Sequence, residues 1–167
     1  MKASEKRVAI VPGSFDPITL GHLNIAKRAS ELYDVVYLAV MINADKSYMF
    51  SLDERRRIAE AATKDIENLS VISYEGYLYK LASELSAVAL VKGVRNDVDR
   101  EYELKMAEYN SAHYPEAKTV LLECDAGMSE ISSTLVRERL ESGEDLSGYL
   151  PESAIEEIRK ILIERHK

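Results

Sequence analysis

The segment Pro12-Gly13-Ser14-Phe15-Asp16-Pro17-Ile18-Thr19-Leu20-Gly21-His22 sets a hydroxyl, a carboxylate, a glycine and an imidazole between an apolar run and a helical pattern. A glycine at a helix start allows close backbone approach, and the unpaired N–H groups there attract an anion. His22, in the first turn, adds a donor for a phosphate oxygen. The segment is neither Gly-x-Gly-x-x-Gly nor Gly-x-x-x-x-Gly-Lys-Ser/Thr, which counts against a simple dinucleotide fingerprint and against a P-loop kinase. Read singly, these residues have plainer roles. His22 shares a helical stripe with Ile25, Ala26 and Ala29 and could pack under the sheet edge, Ser14 suits a turn, and Thr19 suits a helix cap.

A second group lies near the other end. Ser132, Ser133 and Thr134 bring hydroxyls and backbone N–H groups to a helix start, which makes either a phosphate cradle or a redundant N-cap. Three cations stand where strands end: Lys46 after the second, Lys92 at the end of the fourth, and Arg95 three residues later. Each is also an ordinary surface charge by type. No Ser–His–Asp arrangement is evident, and no carboxylate pair or His/Cys cluster suggests a metal held by the protein. His113 and His166 are expected in solvent, and Cys124 as an inert small hydrophobe.

These residues need a frame that brings strand ends together. Val8–Val11, Val35–Val40, Leu69–Tyr74, Val88–Val91 and Thr119–Glu123 read as five short strands, the first stopped by Pro12-Gly13. Helical patterns fill the gaps: Gly21 to Leu32, a capping box Ser51-Leu52-Asp53-Glu54 opening a helix to about Thr63, then Tyr77 to Leu85 and Asp99 to Ala112. Ser132 or Ser133 caps a helix reaching Glu141. Pro151 suits the first turn of a final helix with Ile155, Ile158, Ile161 and Leu162 on one face. Strand–helix alternation predicts an α/β fold: one Rossmann-like, doubly wound domain over residues 1–167, with a five-stranded parallel sheet and a C-terminal helix. Such sheets bind ligands outside the carboxyl ends of their strands.

Composition narrows the function. The chain has 167 residues, 22 Lys and Arg against 29 Asp and Glu, a net charge of −7 and 46% hydrophobic residues. That balance suits a folded domain and argues against broad binding of nucleic acid or an anionic membrane surface. Met1-Lys2-Ala3-Ser4-Glu5-Lys6-Arg7 leads into only four apolar residues, far short of a secretory signal. No stretch approaches the ~20 apolar residues of a membrane helix. One cysteine forms no internal disulfide, so a cytoplasmic location is expected.

Taken together, the segments carry a resemblance. Ser14 to His22 resembles the Thr-x-Gly-His signature of the nucleotidyltransferase α/β-phosphodiesterase superfamily, and Ile131-Ser132-Ser133-Thr134-Leu135-Val136-Arg137 resembles its Ile-Ser-Ser-Thr motif. Between them, Lys92-Gly93-Val94-Arg95, Asp99 and Glu101-Tyr102-Glu103-Leu104 are similar to the middle block of the bacterial-type phosphopantetheine adenylyltransferase family. The resemblance runs from about Arg7 to Leu162. It implies transfer of the adenylyl group of ATP to 4′-phosphopantetheine, giving dephospho-coenzyme A and pyrophosphate, with His22 stabilising the transition state. It implies ATP contacts at Ser14, Phe15, His22, Gly93, Val94, Arg95 and Glu103 and along Met128, Ser129, Glu130, Ile131, Ser132, Ser133 and Thr134. It implies that Ser14, Lys46, Leu78 and Lys92 hold the other substrate.

Also implied are Mg2+ carried by the ATP phosphates, a homohexamer, and inhibition by coenzyme A. Ser14 replaces a common Thr, Lys92 a frequent Arg, and Met128 a frequent Trp. The readings weighed against this one are a sibling nucleotidyltransferase acting on nicotinate mononucleotide or glycerol 3-phosphate, and a non-catalytic nucleotide- or coenzyme A-sensing module.

Overall fold

The structure is a computed structural model that describes residues 5–167. Met1 to Ser4, part of the segment read against a signal peptide, lie outside the described residues.

Strands and helices alternate up to α5, and a further helix follows it: β1 (Val8–Gly13), α1 (Leu20–Leu32), β2 (Val35–Met41), α2 (Leu52–Thr63), β3 (Leu69–Tyr74), α3 (Leu78–Glu84), β4 (Ala89–Val94), α4 (Asp97–His113), β5 (Lys118–Glu123), α5 (Ser133–Ser142) and α6 (Glu152–Arg165). The five strands are parallel in the order β3-β2-β1-β4-β5. The α/β, doubly wound expectation holds. Among the described residues no helix is long and apolar enough to cross a membrane.

Side-chain alternation builds a core on each face of the sheet. Ala9, Val11, Val36, Leu38, Val40, Ala89 and Val91 face one way, against Ile25, Ala26, Ile58, Ala59, Val136, Ile155, Ile158 and Ile161 from α1, α2, α5 and α6. Ile10, Ala39 and Leu90 face the other way, against Leu81 and Ala82 of α3. The three isoleucines expected on the buried face of α6 are all in the core.

Several expected element ends shift. β1 does not stop at Pro12-Gly13, because Pro12 pairs with Ala39 and Gly13 with Val40. β1 meets β4 only at Ala9 and Ile10, so the strand past that point has a neighbour on one side alone and tolerates the missing proline N–H. β4 runs on to Val94, taking in Lys92 and Gly93. α4 begins at Asp97, two residues before the expected start, because the Asn96 side chain accepts the Asp99 N–H at 2.9 Å. Gly21 is the second residue of α1, and Pro151 is an N-cap rather than a first-turn residue.

The parting of β1 from β4 opens a crevice at the point where the chain reverses its winding, the usual ligand position in open parallel sheets. Gly93 lets α1 lie close across it. A Cβ on Gly93 would fall 2.7 Å from Ile25 Cγ1, an atom on a stiff β-branched stem. Gly93→Ala is therefore expected to destabilise the fold by roughly 1–3 kcal/mol, the usual range for overpacking. Denaturant unfolding measures this, and Ile25→Ala added to Gly93→Ala should recover part of the loss if the clash is the cause.

Candidate active site

The crevice widens into a cleft of about 1110 Å³ at the carboxyl ends of the strands. That volume is just above the range of ~300–1,000 Å³ for small-molecule sites and suits two ligands side by side.

The loop after β1 is held from below. Asp16, 4% exposed, accepts the backbone N–H groups of Met49 at 2.9 Å and Phe50 at 3.0 Å. Arg55 is 1% exposed and donates Nη1 to the Ser14 carbonyl at 2.7 Å and the Met41 carbonyl at 3.0 Å, and Nε to Phe50 O at 3.2 Å. Its guanidinium lies 3.9 Å from the Tyr48 ring centroid. Burial draws the Arg55 pKa below its ordinary value, against the opposing influence of Tyr48 and Asp16. One buried cation thus ties together the ends of β1 and β2 and the start of α2.

Above this anchor Phe15 turns sharply, at φ +48°, in the left-handed region that side chains rarely adopt. Its ring is buried, and a Cβ on Gly13 would meet it at 2.9 Å. The ring then meets that of His22 in a T-shaped contact, centroids 5.1 Å apart and planes at 86°. Phe15 therefore shapes the site mainly by fixing the imidazole.

His22 is fixed from the other side by a capping box. Thr19 caps α1 by accepting the His22 N–H at 3.3 Å, while His22 Nδ1 accepts the Thr19 N–H at 3.0 Å. With Nδ1 an acceptor, a neutral ring carries its proton on Nε2. Enclosure by protein, and then the positive charge of Arg95, lower the His22 pKa from 6.5 to about 4. The imidazole lines the cleft as a neutral Nε2–H donor. The Leu20 N–H is taken by Tyr149 O at 2.8 Å, and Gly21 beside it lines the cleft.

The opposite wall is α5. Ser132 is its N-cap and accepts the Leu135 N–H at 3.1 Å, so the plain capping role is real. Ser133 donates to Pro17 O at 2.8 Å, and Arg137 donates to Asp16 O at 2.8 Å and to Thr134 Oγ1 at 3.1 Å. These bonds lock α5 to the β1 loop, so the two helix starts hold fixed positions around one space.

Among the residues expected to act, Ser14, Phe15, His22, Lys46, Leu78, Lys92, Gly93, Arg95, Glu103, Met128, Ile131, Ser132, Ser133 and Thr134 all line the cleft. Val94 is 3% exposed and, with the exposed Ser129, lines a smaller neighbouring pocket of about 330 Å³; Glu130 lines neither. The cations differ in setting. Lys46 is exposed, Lys92 Nζ lies 2.7 Å from Glu103 Oε2, and Arg95 Nε donates to Asp99 Oδ2 at 3.0 Å. His113 and His166 are exposed, and Cys124 borders both pockets. Among the described residues, no three His, Cys, Asp or Glu side chains group as a metal site.

Sequence reasoning missed Asp16, Arg55, Asp99 and Arg137 as parts of the site. A clue to Arg55 was present: it sits three and four residues before Ile58 and Ala59, in phase with the core stripe of α2, where a charge has no reason to be unless it is bonded.

Residues 10–139 match the model of the cytidylyltransferase-like family. A phosphopantetheine adenylyltransferase of Clostridium novyi is 41% identical over 91% of this chain and 94% of its own. Those of Rubrobacter xylanophilus and Flavobacterium psychrophilum are 44% and 43% identical, over 92% and 88% of this chain and 94% and 97% of theirs. The chain belongs to the phosphopantetheine adenylyltransferase family. A crystal structure of a Vibrio parahaemolyticus protein, provisionally described as a nicotinate-nucleotide adenylyltransferase, superposes with a TM-score of 0.64 at 21% identity. It covers 92% of this chain and 99% of that one, and bears on the fold alone. The family match spans the cleft from the β1 loop to α5, so the geometry above is that of a family member's strand-end cleft.

The depressed His22 pKa has a testable sign. Between pH 6.5 and about 4 the unfolded chain binds a proton at His22 that the folded chain does not, so this residue withdraws stability as pH falls through that window. The His22 ring resonances should titrate near pH 4 by NMR. His22→Asn, whose Oδ1 can still accept the Thr19 N–H, should lose stability less steeply over the same window. A His22 midpoint near 6.5 would refute the neutral-donor assignment.

Proposed function

We propose that the protein transfers the adenylyl group of ATP to 4′-phosphopantetheine, forming dephospho-coenzyme A and pyrophosphate. The observation that carries this reading is the fixed, neutral His22 beside the α1 start, within a cleft large enough for two substrates. A phosphate oxygen of the acceptor attacks the α-phosphorus in line, and the bond from that phosphorus to the pyrophosphate oxygen breaks. No protein nucleophile takes part. The chain's task is to align the two ends and to neutralise charge as the phosphorus becomes five-coordinate.

The sheet order supports a division of labour. Lys46 and Leu78 follow β2 and β3 on one side of β1, while Met128 to Thr134 follow β5 on the other. The acceptor belongs with Lys46, Leu78, Lys92 and Ser14. ATP belongs with Ser14, Phe15, Gly93, Val94, Arg95, Glu103 and the segment Met128, Ser129, Glu130, Ile131, Ser132, Ser133, Thr134; buried Val94 would serve through its backbone. His22 lies between, where its Nε2–H would bond an α-phosphate oxygen more strongly as negative charge gathers there. Mg2+ entering with the nucleotide would add further neutralisation when bound.

The reading extends to a cytoplasmic homohexamer inhibited by coenzyme A. Self-assembly is supported by α4, whose only buried residue is Asn110 and whose Val98 and Leu104, outside the cleft, are 76% and 52% exposed.

Pyrophosphate release should appear with ATP and 4′-phosphopantetheine, and not with nicotinate mononucleotide, glycerol 3-phosphate or CTP in their places. His22→Ala should keep the fold and most ATP affinity yet lose turnover by about 10²–10³-fold, the usual range for removing one transition-state donor. Turnover at the parent rate would remove His22 from the mechanism.

A further inference from the structure

The face that α4 turns to the cleft is a stripe at helical spacing: Asp99, Tyr102, Glu103 and Met106. Its two carboxylates are four residues apart, and each meets a cation of the β4 end. Glu103 Oε2 lies 2.7 Å from Lys92 Nζ, and Asp99 Oδ2 accepts Arg95 Nε at 3.0 Å and the Arg95 backbone N–H at 3.2 Å.

The two pairs are not equivalent. Arg95 and Asp99 are four residues apart in one turn, with side chains 40% and 29% exposed, an arrangement worth little in water. Lys92 and Glu103 come from a strand and a separate helix, with side chains 21% and 14% exposed. Glu103 Oε2 is fully enclosed, and no donor reaches it with good hydrogen-bond geometry; the Lys92 ammonium is its charge partner. The Lys92 ammonium is a compact point charge that an incoming anion can share or take over.

We infer that Glu103 sets the acceptor affinity of the site: it is an internal counter-anion that an acceptor phosphate must displace to reach Lys92. This rests on the reading above, in which Lys92 holds the acceptor's phosphate. A phosphate monoester carries close to two negative charges at neutral pH and a carboxylate carries one. A phosphorylated acceptor therefore has the charge to displace the Glu103 interaction, whereas an acceptor ending in a hydroxyl does not compete for the ammonium. Glu103 weakens binding of every anion at Lys92 and leaves a neutral acceptor end unaffected.

The test is calorimetric, on the full chain, with 4′-phosphopantetheine and unphosphorylated pantetheine as probes. Glu103→Gln keeps the shape and removes the competing charge. It should tighten 4′-phosphopantetheine by about 3- to 30-fold, leave pantetheine unchanged, and steepen the salt dependence. Lys92→Met/Glu103→Gln, which leaves no lone charge in the site, should lose that gain. Equal weakening of both probes in Glu103→Gln would mark a merely structural residue, and an unchanged 4′-phosphopantetheine affinity, whatever happens to ATP, would mark a residue that does not mask Lys92; either overturns the inference. Failure of the parent to release pyrophosphate with this acceptor would instead overturn the reading beneath it.

Discussion

Everything functional in this molecule depends on β1 leaving β4 after Ile10 and Leu90 while staying paired with β2 through Gly13. Two parallel strands in full register would close the sheet and leave only its edge for ligands. Here the separation turns the carboxyl end of the sheet into a cleft with a floor, and α1 starts beside it. Gly93 permits the separation to stay narrow, since the absent Cβ is the space Ile25 occupies. The winding reversal sets where the cleft forms, and the one-sided pairing of β1 lets a proline stand in its last turnless stretch.

A cleft between loops is only as exact as the loops, and here polar groups inside the protein fix them. Arg55 binds the carbonyls of Ser14, Met41 and Phe50, and Asp16 binds the amides of Met49 and Phe50. Donor and acceptor sets are complementary, so a buried cation and a buried anion are satisfied by the same short stretch of backbone. The hold passes upward from Ser14 to Phe15, and from the Phe15 ring to the imidazole of His22 set at right angles to it. The imidazole's position is thus set by a chain of contacts that begins in the core, and its tautomer by the Thr19 amide.

The sequence made some of this legible and concealed the rest, for physical reasons. Strands and the faces of α2 and α6 follow from period and capping chemistry, which are local: Ser51 and Glu54 form the capping box their types predict. The β1 and β4 ends were misread because Pro12 and Gly93 break strands by local rule, whereas pairing with a neighbouring strand decides. Gathering Ser14, His22, Lys92 and Ser132 in one cleft follows from a parallel sheet, because such a sheet puts every strand's last residues on one side. The anchoring by Arg55 and Arg137 was hidden, since both bond to backbone carbonyls, and no residue type in a sequence marks a distant carbonyl as the acceptor. The partners of Lys92 and Arg95 were hidden differently: that β4 faces the Asp99–Glu103 stripe is a matter of how α4 rolls against the sheet.

That last point changes what the charge of the site means. A net charge of −7 and a set of lysines and arginines at strand ends suggest a basic hole in an acidic shell. The contacts describe something more balanced. Lys92 and Arg95 each hold a carboxylate, Arg137 is spent on Asp16 O and Thr134, and His22 is neutral. Among the described residues, only Lys46, on the exposed stretch after β2, lines the cleft without such a pairing. A cleft of unpaired cations would repel itself and attract any anion, whereas one whose cations already have partners answers to ligands that offer better ones. Phosphate groups meet that condition, and the fixed helix starts and Nε2–H of His22 then add donors that carboxylates of the chain do not reach.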